Sequence, residues 1–340
     1  MADLNVRVEI QINPVGDEVA ALIAVVRPIL HALLHALKGV VVNEAGGLEG
    51  VRLFMLPRLY RQGDGDCGIC FEYAIHDAIR RGDPSILEKV NESMTRHLRV
   101  PGHETASILF GAEKAGTILL LETAENILTD DSRLLTGEQA QPPKLKRHIR
   151  TLAAAFRRPT TRAALPYSIN GAWKADLFLG MRDSDRWVAT TVKINPTHLE
   201  RANGLRLGIV PSHQGADDRI RIDHARNLVV CPVPYDGAFM ETFYNAWTVV
   251  QQFISADAYL PSEVALPRPA QRQVARMLAD RRSFPIVDVI EALAPLAQPE
   301  LLNTYEAMEG AVELPPQADS VGGEEEATVD TVIAPVSREI

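Results

Sequence analysis

Residues Lys174–Asn195, KADLFLGMRDSDRWVATTVKIN, read as a β-hairpin: two apolar and β-branched runs flank the polar turn MRDSDR. Each run carries a charge foreign to a sheet interior. Asp176 stands directly before Leu177, Phe178 and Leu179, and Lys193 closes Val188-Ala189-Thr190-Thr191-Val192 and precedes Ile194. Burying an acid and a lysine in apolar surroundings costs several kcal/mol unless the two pair or serve a site.

Working outward, further strands are expected at Tyr167–Gly180, Trp187–Asn195, Leu205–Pro211 and Asn227–Pro234. A short helix, PTHLERAN, falls between the second and third, with Thr197–Glu200 (THLE) as its capping box. An amphipathic helix follows at Gly237–Ile254. Upstream, Asn5–Ile12 alternates like a strand, and a long helical pattern covers about 17–38. The pattern from Pro101 to Pro166 is mostly helical. A Gly/Asp-rich entry precedes CGICFEYAIHDAI, in which Phe71, Ala74, Ile75, Ala78 and Ile79 recur at helical spacing until Gly82-Asp83-Pro84 breaks the run. Glu72 and His76 lie one turn apart on that helix and can face one site. Gly68 is expected to let the helix approach the sheet, with Phe71 and Ile75 packing on it.

The order of a helix bearing an acid, two strands bearing Asp176 and Lys193, a helix and two more apolar strands resembles the PD-(D/E)XK nuclease superfamily. The resemblance covers roughly Gly65–Ile254 in topology and three short motif pieces. It implies an α/β restriction endonuclease-like fold: a mixed central sheet flanked by helices, with helical additions at both ends. It further implies Mg²⁺, or Mn²⁺ in its place, held by Glu72 and Asp176. Lys193 would position or activate the attacking water, and the activity would be that of a metal-dependent endodeoxyribonuclease. Phosphodiester chemistry needs such groups because the transition state gains negative charge, which a divalent ion and an ammonium offset. Where the superfamily usually has an acid two residues before the lysine, this chain has Thr191. Glu72 is then the substitute acid, and Glu113 a second candidate.

The formal charge of −9 is unevenly spread: residues 311–340 carry seven acids and one base, so the first 310 residues carry only −3. Between Ala140 and Leu165 there are seven bases and no acid. Lys144, Lys146, Arg147 and Arg150 in that run are candidates for holding a DNA backbone, or they form a solvated helix face. After about Met308 the chain is acidic and poor in aromatics, a disordered composition. The expected organisation is therefore an N-terminal region 1–64, a nuclease-like core 65–260 with a helical insertion at about 101–166, C-terminal helices at 261–308, and a tail at 309–340.

With 46 % apolar residues the chain can bury a sizeable core. Val19–Val42 is the longest apolar stretch, but Arg27, His31, His35 and Lys38 interrupt it, so a buried helix is expected and no membrane partner. Three cysteines suit a reducing, cytoplasmic setting. Cys67-Gly-Ile-Cys70 lacks the second ligand pair of a structural zinc site. No GxxxxGK[ST] loop or GxSxG elbow occurs, which speaks against an ATPase and a serine hydrolase. Beside the nuclease, in bacterial DNA processing or anti-phage defence, stands a degenerate subunit that binds nucleic acid or protein partners in a larger assembly. A plain structural ion pair is the third alternative.

Overall fold

The structure, a computed structural model, describes residues 15–59, 64–110, 118–137, 141–182, 184–260 and 264–303. The expected strand at Asn5–Ile12, Glu113 and the acidic tail lie outside the described residues.

The chain opens with α1 (Asp17–His35), followed by the short α2 (Gly39–Glu44) and α3 (Leu56–Leu59). Next come α4 (Asp64–Arg81) and α5 (Pro84–Glu92), separated where expected. Gly82 takes φ +85°, a left-handed value that favours glycine, and Asp83 caps α5 by accepting from the Ser85 N–H at 3.0 Å. Then follow β1 (Thr105–Leu109), α6 (Ile118–Ile127), β2 (Arg133–Leu135), α7 (Leu145–Ala155) and α8 (Pro159–Ala163). The hairpin is β3 (Leu177–Met181) and β4 (Arg186–Val192), succeeded by β5 (Leu205–Pro211), β6 (Arg221–Asp223) and β7 (Leu228–Val233). Three helices complete the described chain: α9 (Ala238–Ser255), α10 (Pro269–Asp280) and α11 (Ile286–Leu293).

The protein is α/β, with one mixed sheet in the order β1-β3-β4-β5-β7-β6. The β1–β3, β3–β4 and β6–β7 pairs are antiparallel, and β4–β5 and β5–β7 are parallel. β2 runs parallel to β4 and takes residues 186–188 of the edge whose continuation, 189–192, belongs to β5. Side chains alternate across the sheet with the period of two that a strand imposes. Leu177, Leu179, Val188 and Val192 join α1, α4, α9, α10 and α11 in the larger core. Phe178, Trp187 and Ala189 face the other way, against Leu145, Ile149 and Leu152 of α7. Gly180 pairs with Trp187, and a Cβ on it would come within 2.6 Å of the indole, so only glycine lets that ring lie flat on β3.

Four expectations change. The segment Pro101–Pro166 is not chiefly helical, since it supplies β1 at one edge of the sheet and β2 beside β4. Tyr167–Gly180 is a strand only from Leu177; before it come 3₁₀ turns at Tyr167–Ile169 and Ala172–Lys174, because Pro166 and Asn170-Gly171 break the extended run. PTHLERAN forms a single 3₁₀ turn, Pro196–His198, and its cap is Asn195, whose Oδ1 accepts from the Thr197 N–H at 3.0 Å. Leu199 ends that turn by burying itself over Gly208 of β5, which a continued helix would prevent. Gly68 is the fourth: a Cβ there would meet nothing within 4 Å, so it permits no close approach.

α1 is the one helix among the described residues long and apolar enough, by length and composition, to cross a membrane, with a mean hydropathy of 1.6. Here it is a core element, buried over 78 % of that window among α4, α9, α10 and α11.

Candidate active site

The open end of the β3–β4 hairpin is where the site forms. The backbone of Asp176 is tied on both sides: its N–H donates to Thr190 O at 2.9 Å, and its carbonyl accepts from the Phe110 N–H at 2.8 Å. Lys193 extends the β4–β5 ladder by one bond, donating its N–H to Ile209 O at 3.0 Å. Asp and Lys therefore leave neighbouring strands from fixed backbone, which is what makes their side chains meet.

They meet closely. Asp176 is 0 % exposed, and its Oδ2 accepts from the Lys193 ammonium at 2.7 Å, the Val192 N–H at 2.8 Å and the Thr191 hydroxyl at 3.0 Å. Glu72, 8 % exposed on α4, accepts from the same ammonium at 3.1 Å. The two carboxylate oxygens thus lie no farther apart than the sum of their contacts with Lys193. Burial alone pulls the Lys193 ammonium down. Asp176 first and Glu72 second reverse that pull, and the net result lies above the ordinary lysine value. Lys193 is therefore charged at neutral pH.

Glu72 reaches this point because α4 lies against β1 and β4, with Ala74, Ile75 and Ala78 buried. Phe71 is buried in the same core as Leu177 and Leu179, and its ring meets Phe243 of α9 at 5.3 Å. His76, one turn on, does not join the Lys193 cluster: its Nδ1 lies 2.9 Å from the Ser107 hydroxyl of β1. Burial, and then Arg80 and His31, push this imidazole down to about 4. Nothing in the sequence marks Ser107, Val192 or the donating role of Thr191, since each contact joins segments distant in the chain or uses backbone.

The basic residues are placed differently. Lys144 and Lys146 face Asp131 and Asp130, each at 3.4 Å, and Arg150 donates to Glu125 at 3.0 Å. Arg147 is exposed. Lys144 bridges to Arg133, which pairs with Arg186 at the start of β4. Lys193 follows the other end of that strand, about 20 Å away at 3.3 Å per residue. The structure therefore does not bring the start of α7 to the Glu72–Asp176–Lys193 cluster.

Cys67 and Cys70 are free thiols, both pushed up by burial, Cys67 to about 11. Among the described residues no group of three or more His, Cys, Asp or Glu side chains is placed to hold a metal. The chain matches no family model, no curated protein and no solved structure.

Proposed function

We propose that this protein is a metal-dependent nuclease of restriction endonuclease-like type that hydrolyses DNA phosphodiester bonds. One observation carries the reading: a helix acid, Glu72, and a strand acid, Asp176, share the ammonium of Lys193 at the open end of a hairpin. Buried side chains of this kind are expensive for stability alone, because pairing rarely returns the full desolvation cost. The donor set suits Mg²⁺ in kind, being hard anionic oxygens. In number it is sparse, because Thr191 contributes a donor where the superfamily usually has an acid. Glu72 and Asp176 would hold the ion, which when bound acidifies water and neutralises charge on a phosphate. Lys193, kept cationic by the same two acids, is the group that would face a non-bridging phosphate oxygen and offset the charge growing there. Incubating supercoiled plasmid with the purified protein, with Mg²⁺ or Mn²⁺ and with chelator, tests this. Metal-dependent nicking that Asp176→Asn abolishes is the expected result, and no nicking with either ion rejects it.

A second reading has its own observation. Asp176 Oδ2 already accepts three donors, and Lys193 occupies the place between the acids. A degenerate nuclease fold, its internal ammonium standing where a cation would bind, would hold nucleic acid without cutting it. Nucleic-acid binding with no metal-dependent cleavage would favour this form.

A further inference from the structure

α7 ends at Ala155, and the chain reaches Asp176 through the corner of α8 and two 3₁₀ turns. Between Phe156 and Ala175 stand four bases, Arg157, Arg158, Arg162 and Lys174, and no acid. This corner continues from α7 and leads along the chain directly into Asp176. Arg162 is fixed in place: it donates to Phe156 O at 3.0 Å and to Ala155 O, and its guanidinium lies 4.1 Å from the centre of the Trp173 ring. Phe156 meets the same indole edge-on at 6.2 Å, so Trp173 is a packed support, not an open platform. Tyr167 is open, with 71 % of its surface exposed. Arg157 and Arg158 are exposed as well. At the site end, Lys174 pairs with Glu200 at 2.8 Å and holds that carboxyl below its usual range, with Lys193 and His198 adding to the same field.

A positive surface attracts any nucleic acid through its phosphates. An exposed aromatic ring discriminates, because only an unpaired base offers a free face to stack on it. The nearest acids of the α7 face are spent on Lys144, Lys146 and Arg150, which leaves little cationic surface in register for a rigid duplex. We propose that the corner formed by residues 156–175 is a landing surface for single-stranded nucleic acid. A phosphate lies against the exposed Arg158, the neighbouring base stacks on Tyr167, and the strand is led towards Lys193. The destination of the strand rests on the nuclease reading; the binding surface does not.

The test is fluorescence anisotropy of the full chain, in chelator so that nothing is cut, with a labelled single strand of DNA, the same sequence as RNA, and the DNA duplex. Both single strands are expected to bind more tightly than the duplex. Tyr167→Ala should weaken single-strand binding roughly tenfold. Arg158→Ala should lower the salt slope by about 0.7. Arg276→Glu, on the exposed side of α10, serves as the charge control and should change single-strand affinity far less than either. Circular dichroism confirms that each variant is folded. Duplex bound as tightly as single strand, or Tyr167→Ala indistinguishable from wild type, overturns the proposal. A single strand that binds in chelator, while neither it nor supercoiled plasmid is cut with Mg²⁺ or Mn²⁺, rejects the nuclease while leaving the surface standing. Cleavage indifferent to Tyr167→Ala rejects the surface while leaving the nuclease.

Discussion

Removing the Lys193 ammonium would take away a cation that lies 2.7 Å from the fully buried Asp176 carboxylate. Asp176 keeps the Val192 N–H and the Thr191 hydroxyl, so the loss belongs at the lower end of the range for breaking a buried pair, about 3 kcal/mol. Lys193→Met should accordingly lower Tm by roughly 5 °C in the metal-free protein; an unchanged Tm would mean the pair is not buried as described. The pH dependence has a definite sign. Because the folded Lys193 value is raised, its contribution is complete below 10.5 and is lost as pH rises through the folded value. Alkaline denaturation above pH 10.5 should therefore be shallower in Lys193→Met. Thr191→Glu is the sharper probe of the acid set. The new carboxylate replaces a donor to Asp176 and adds charge in a place 3 % exposed, so the variant should be destabilised in chelator. Mg²⁺ should then raise its Tm by more than it raises that of wild type, as read by thermal melts. Equal Tm shifts would show that no ion enters between these acids. Asp176, Lys193 and Glu72 were legible in the sequence because each is a charge set in an apolar run. The hydroxyl and amide that complete the cluster were not, since threonine in a strand is ordinary and a backbone N–H has no letter.

At the scale of elements, α1 and α4 bring three imidazoles near each other. His31 and His35 lie 5.8 Å apart on α1, and His35 stacks on Tyr73 of α4 at 6.1 Å. Burial first holds both His35 and His76 at about 4, with His31 second for His35, and Arg80 and then His31 second for His76. The unfolded chain takes up these protons first. The stabilisation is thus complete above 6.5 and is lost as pH falls towards 4. Between pH 7 and 5 each histidine should cost about 2 kcal/mol of unfolding free energy, at about 1.4 kcal/mol per pH unit. Urea titrations at the two values measure this, and His76→Gln should remove about half the difference; equal midpoints for wild type at both would refute it. β5 was readable with its observed bounds because Leu205–Pro211 is a compact apolar run between turns. β1 and β2 were not. Five and three residues are too few to establish a period, and their partners, β3 and β4, lie far along the chain. The first half of Tyr167–Gly180 misled for the opposite reason, since its aromatic and apolar content mimics a strand although its backbone turns twice.

For the whole molecule, charge and core are organised separately. Residues 310–340 carry a net −6 of the chain's −9, charge that adds to the repulsion of any phosphate backbone the chain binds. Ending the chain at Glu309 should tighten single-strand binding several-fold at low salt, and the gain should vanish at high salt, where such fields are screened. A gain that persists at high salt would point to a contact, not a field. The larger core runs unbroken from α1 through α4 and α9 to the sheet and on to α10 and α11. Sequence composition indicated that such a core exists, but not that its first and last helices pack together. Contacts between residues some 250 positions apart leave no local pattern to read.

That distant packing sets a schedule for the growing chain. α4 covers one side of α1 soon after both emerge, but α9, which covers another, begins only at Ala238, roughly 200 residues after α1 ends, or about 10–40 s of translation. Throughout that wait a helix apolar enough to enter a bilayer stands with its remaining faces uncovered on a nascent polypeptide. Its safe custody falls to whatever meets it at the ribosome. Slowing translation between α4 and α9 should therefore lower the yield of folded protein, even though every residue of the finished molecule is unchanged.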